Sequence, residues 1–114
     1  MKLTRKEISN KYRVISVGYC QLQNLLQYSK RLGYTTSQAY GWRSDNYLFT
    51  NDLDCSTVVI STGYNPVNGV KVDRVITNKY DDLAREVTLS PLPYEERKNK
   101  LDQLIQEFIN EVIK

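Results

Sequence analysis

The residues of this chain point to an α+β domain: a strand, a helix, a three-stranded antiparallel meander, then two C-terminal helices packed on one sheet face. Three features carry that expectation. Val14, Ile15 and Val17 form a β-branched run near the start; residues 38–62 are dense in aromatic and β-branched side chains; and apolar residues after Pro93 recur at helical spacing. Length and composition agree with it, because 114 residues at 40% hydrophobic and 25% charged suit one ordinary globular core. A single domain is expected over residues 1–114, with 1–10 as a flexible basic start.

Each element has its own local warrant. Residues 12–19 read as a strand of mixed alternation that Gly18 ends. From Cys20, Leu22, Leu25, Leu26 and Leu32 fall at helical steps, and Gly33 is the residue expected just past a helix end. The meander is expected to carry Tyr40 and Trp42 on its first strand, Tyr47 and Phe49 on its second, and Val58 and Ile60 on its third. Ser44, Asp45 and Asn46, and again Asn51 and Asp52, supply turn chemistry between those strands. Residues 63–69 are rich in turn formers and read as a loop.

Val72, Val75, Ile76, Tyr80, Leu83, Ala84 and Val87 then recur at three- and four-residue steps and read as a helix, with a strand at 70–76 as the rival. Pro91 and Pro93 close that element and set the first turn of the next. Leu101, Leu104, Ile105, Phe108, Ile109, Val112 and Ile113 trace one apolar stripe, the strongest helix signal in the chain.

The chemistry available to the chain is restricted. With no histidine, the commonest general base and the commonest zinc nitrogen ligand are absent. No glycine pair has phosphate-loop or dinucleotide spacing. Asp45, Asp52 and Asp54 match no calcium loop and read as turn formers, and Asp81 and Asp82 read as dipole compensation near the start of a helical turn. No metal and no cofactor is expected. Cys20 and Cys55 are expected to be free thiols. Cys20 sits where a strand gives way to a helix, a place that can activate a thiol, but without a histidine partner it is expected to be a small buried apolar residue, and Cys55 likewise.

Charge is unevenly spread. Residues 1–31 hold seven basic residues against Glu7 alone, a net +6, which leaves −3 for the remainder. Lys2, Arg5, Lys6, Lys11 and Arg13 are the natural contacts if nucleic acid is a ligand. Tyr40, Trp42, Arg43 and Tyr47 form the other candidate binding set, because Tyr, Trp and Arg dominate interface anchors; stacking of bases and simple core packing are its rivals. No run approaches the ~20 apolar residues of a membrane span, and residues 1–6 lead into polar sequence, so a cytoplasmic location without membrane contact is expected.

The string Gly18-Tyr19-Cys20-Gln21-Leu22-Gln23 with Leu25-Leu26, then Tyr40-Gly41-Trp42 with Asp45 and Tyr47, then Thr62-Gly63-Tyr64, resembles short uncharacterised proteins of Gram-positive bacteria and their phages or integrated mobile elements. That resemblance runs from about Tyr12 to the end. It implies a small accessory or inhibitor-type protein that works by binding. The expected function is therefore a non-enzymatic interaction protein with a protein partner. A nucleic-acid-binding accessory protein is the alternative, a small cysteine-dependent enzyme using Cys20 is a third, and self-association into a homodimer is open.

Overall fold

The computed structural model describes Lys6, Asn10 and residues 12–38, 45–51, 56–62 and 69–113. In chain order these include β1 (Arg13–Val17), α1 (Gln23–Arg31), β2 (Thr35–Gln38), β3 (Asp45–Asn51), β4 (Ser56–Thr62), β5 (Val70–Lys71), α2 (Arg74–Leu89) and α3 (Tyr94–Val112). The α+β expectation holds. Among the described residues, no helix is long and apolar enough to cross a membrane.

The five strands form one mixed sheet in the order β2-β3-β4-β1-β5. The expected meander is present, since β2 pairs antiparallel with β3 and β3 antiparallel with β4. What differs is the company it keeps. β1 lies inside the sheet, parallel to β4 on one side and to β5 on the other. Four of its five residues, Val14 to Val17, are buried, which is how a strand covered on both faces should look and why its alternation was mixed.

Two other expectations about strands are corrected. The first strand of the meander is Thr35–Gln38, earlier than the segment around Tyr40 and Trp42, which lies outside the described residues. Gly33 ends α1 so sharply that the chain extends at once into the β-branched pair Thr35 and Thr36. Asp45, Asn46 and Asn51 belong to β3 rather than to turns, because pairing with β4 from Asn46↔Ser61 to Asn51↔Ser56 outweighs their local preference.

The register sorts side chains onto two faces. Ile15, Val17, Tyr47, Phe49, Val58 and Ile60 share one face and form a single core with Leu22, Leu25 and Leu26 at and after the start of α1, Tyr80 and Ala84 of α2, and Leu101, Ile105 and Phe108 of α3. Both C-terminal helices thus pack over the same sheet face as α1. The other face holds a smaller cluster of Val14 and Val59, with Tyr12 and Leu48 against it. One residue in from the ends of β1 and β4 on that face, Asn46, Ser61 and Ser16 are register neighbours on three adjacent strands, and all three are buried.

The helix ends follow familiar chemistry, with one exception. Gly33 adopts φ 94° just past α1; its N–H donates to the Lys30 carbonyl and that of Tyr34 to the Ser29 carbonyl, the double bond of a Schellman stop. Both readings of residues 70–76 are partly right: Val70 and Lys71 are a short strand, and the helix starts at Arg74 once Asp73 caps it by accepting from the Val75 N–H at 3.1 Å. Val75 itself is exposed, so the inner stripe of α2 runs instead through Thr77, Tyr80 and Ala84. In α3 the expected stripe is the core stripe, with Leu101, Ile105, Phe108 and Ile109 buried and Leu104, Val112 and Ile113 at its margin.

Candidate functional site

One edge of the sheet collects the described residues best placed to meet another molecule. The parallel strands β1 and β4 both end there, at Val17 and Thr62, which pair in register. Ligands of sheets with parallel strands bind characteristically outside such ends. Gln38 and Asp45, the described residues on either side of 39–44, are cross-strand partners at the same edge.

The chain leaves β1 through a tight turn at residues 18–21. The Gln21 N–H donates to the Gly18 carbonyl at 2.9 Å, and the Gly18 N–H donates back to the Gln21 side-chain oxygen at 2.6 Å. Glycine suits the position, because a Cβ there would come within 3.2 Å of the Gln21 side chain. Tyr19 and Cys20 are the two corner residues of that turn, and corners point outward. Tyr19 is 57% exposed, and Cys20 is exposed as well. The expectation of a buried Cys20 is therefore corrected: the helix begins only at Gln23, and the turn between strand and helix holds the thiol in solvent.

Leu22 follows in the left-handed region with φ 55°, a conformation that L residues avoid, yet its side chain is almost fully buried. Core packing of that leucine offsets a backbone cost of about 1–2 kcal/mol. Because Leu22 offers no side-chain cap, the first turn of α1 is satisfied from elsewhere. Asp81, in the middle of α2, accepts from the Asn24 N–H at 2.7 Å, the Leu25 N–H at 3.4 Å and the Asn24 side-chain amide at 3.0 Å. The dipole expected to be compensated by Asp81 is thus real, but it belongs to α1. Asp82, its neighbour, faces solvent and lies 3.6 Å from Arg85.

Beside the turn is a pocket of about 140 Å³, lined by Tyr19, Gln21, Gln23 and Gln27 with Leu26, Tyr47 and Thr62. Its side chains are neutral hydrogen-bonding groups over an apolar floor. At this size it admits one side chain of a partner rather than a whole cofactor, for which roughly 300–1,000 Å³ is usual. No group of three or more His, Cys, Asp or Glu residues suited to a metal ion occurs among the described residues.

The two binding sets expected from sequence land unevenly. Tyr47 is only 8% exposed and belongs to the core, touching the pocket from beneath; inward pairing on β3 with Phe49, which is also buried, leaves neither ring free to stack on a base. Tyr40, Trp42 and Arg43 lie outside the described residues, as do Cys55, Asp52 and Asp54. Of the basic set, Lys6 and Arg13 are exposed, and Lys2, Arg5 and Lys11 lie outside the described residues. Sequence reasoning singled out neither Tyr19 nor the glutamines as a site. The visible signal was the run Gln21, Gln23 and Gln27, three glutamines within seven residues around an apolar helix face.

No family model, curated protein or solved structure matches this chain.

Proposed function

We propose that this chain is a non-enzymatic interaction protein of accessory or inhibitor type, which docks on a protein partner through the edge formed by the turn at 18–21 and the first turns of α1. The observation that carries this reading is Tyr19, largely exposed yet held on a turn closed by two reciprocal hydrogen bonds. An aromatic anchor whose backbone is already fixed by a turn has less freedom to lose on binding, and Tyr is among the residues that dominate interface energetics. Gln23 and Gln27, one turn apart on the exposed side of α1, add amide donors and acceptors beside a pocket sized for a single side chain. Trp42 and Arg43 enter the proposal on sequence grounds alone, as residue types that dominate interface anchors. A cytoplasmic setting in a bacterium or mobile element goes with this reading.

The test is capture by the immobilised full-length chain from host lysate, with variants that leave the core alone. A host protein retained at high salt, lost on Tyr19→Ala with Gln27→Ala and kept when residues 1–10 are removed, supports the proposal. The rival is binding of nucleic acid through Lys2, Arg5, Lys6, Lys11 and Arg13. In that case the ligand is nuclease-sensitive, the truncation abolishes capture, and affinity falls by roughly 0.9 log unit per log unit of salt for each duplex phosphate contacted.

A further inference from the structure

On the opposite side of the core from the sheet, α2 and α3 leave an open groove of about 230 Å³ between them. Leu83 and Val87 from α2 and Leu104 from α3 line its floor and are only half-buried, while the exposed side chains of Glu86, Lys100 and Glu107 stand along its rim. Leu104 sits at the outer margin of the core stripe of α3: it packs against the core and also borders the groove, on a strip of α3 shared with Lys100 and Glu107.

The charges on that strip have an order. Lys100 and Glu107 lie seven residues apart, two helical turns and about 10 Å, so they sit on the same face on either side of Leu104. A strip that reads positive, apolar, negative is complementary to its own copy when the two run antiparallel. A two-fold axis passing between Gln103 and Leu104 sets Lys100 of each copy against Glu107 of the other and brings the two Leu104 side chains together. Isologous interfaces require this self-complementarity, whereas a surface shaped for an unrelated partner does not.

We propose that this groove is the interface of a symmetric homodimer, with α3 packed antiparallel on α3 of a second copy. The available area suits a concentration-dependent dimer. α3 spans 19 residues, about 28 Å, and two helices side by side are about 20 Å wide, so the face offers about 550 Å² per copy. That makes about 1,100 Å² in all, just above the ~1,000 Å² a specific interface needs. Docking at the sheet edge does not depend on this pairing, since the two surfaces share no residue.

Sedimentation equilibrium of the full chain tests the pairing. Wild-type protein is expected to dimerise with rising concentration. Lys100→Glu alone sets four acidic side chains around the axis and Glu107→Lys alone four basic ones, so each is expected to weaken association at least about tenfold. An equimolar mixture of the two single variants restores both opposite-charge contacts as a heterodimer, and the double variant restores them as a homodimer. At concentrations low enough to keep every variant monomeric, circular dichroism melts should match wild type, because both side chains are exposed. A wild-type chain that stays monomeric to millimolar concentration overturns the proposal, as does a dimer that the single swaps leave intact or that mixing fails to restore.

Discussion

At the start of α2 the carboxylate of Asp73 accepts from an N–H two residues ahead, whereas the start of α1 has no local partner and takes Asp81 from α2, 57 residues away. The contrast extends beyond the caps. α2 and α3 are held by short-range devices: a capping aspartate, a proline-bounded turn and an apolar stripe. The β1–α1 edge depends on distant ones, namely a buried left-handed Leu22, the cap from Asp81 and register with β4. Tyr19 is placed by its own local turn, whereas the start of α1, which carries Gln23 and Gln27, is fixed by contacts from afar.

The largest expected effect comes from removing the core that both regions share. Phe108 is fully buried and meets Tyr80 edge-on at 5.2 Å between ring centres. Phe108→Ala should cost about 3–5 kcal/mol in chemical denaturation. An unchanged midpoint would mean that α3 is not part of the core on which α1 rests.

The caps test the contrast directly. Asp81→Ala removes a charged acceptor of three hydrogen bonds and is expected to cost about 1.5–3 kcal/mol, against about 1 kcal/mol for Asp73→Ala. Hydrogen exchange should show the Asp81 variant opening at Asn24 and Leu25, far from the mutation in sequence. Equal losses from the two variants, or loosening confined to α2, would erase the distinction between the two helix starts.

Within the C-terminal half, Tyr80 provides a pH test. Burial, with the hydrogen bond it donates to Glu111 and the nearby charges of Glu111 and Glu107, pushes its pKa up from 10.0 to about 12. Between those values the unfolded chain gives up the proton first, so the folded state binds more protons and stability must fall as pH rises. The contribution is whole below pH 10 and is lost as pH passes about 12. In Tyr80→Phe that part of the alkaline loss should disappear; an identical alkaline profile in the variant would show that the Tyr80–Glu111 contact does not control it.

Two smaller effects concern β1 and its turn. The Ser16 hydroxyl is buried without a hydrogen-bond partner among the described residues. Ser16→Ala should therefore raise stability by about 1 kcal/mol, and a loss of that size would reveal a partner for the hydroxyl. Cys20→Ser should change stability by less than about 0.5 kcal/mol, because the thiol is exposed at a turn corner. Stoichiometric maleimide labelling of the folded chain, with Cys55 replaced, checks the same point, and a thiol protected until unfolding would contradict it.

Local periodicity was legible because it is written in neighbouring residues. The α3 stripe from Leu101 to Ile109, the stop at Gly33, the β-branched run in β1 and the alternation of Tyr47 and Phe49 in β3 all follow from spacing and side-chain shape within one or two turns or one strand. The amino acids alone also determined the absence of histidine and the +6 charge at residues 1–31. Tertiary structure decided the rest. Asp45 and Asn46 prefer turns, yet pairing with β4 draws them into β3; Tyr47 is a typical interface residue, yet its parity on β3 turns it into the core. Cys20 suits a buried position, but a turn closed by Gly18 and Gln21 pushes it into solvent, and Asp81 serves a helix other than its own. Cys20 is placed by its own local turn, but for Asp45, Asn46, Tyr47 and Asp81 the physical reason is shared. Propensities differ by about 1 kcal/mol or less per residue, while a sheet register, a buried leucine or a charged cap contributes as much or more through partners that are remote in the chain.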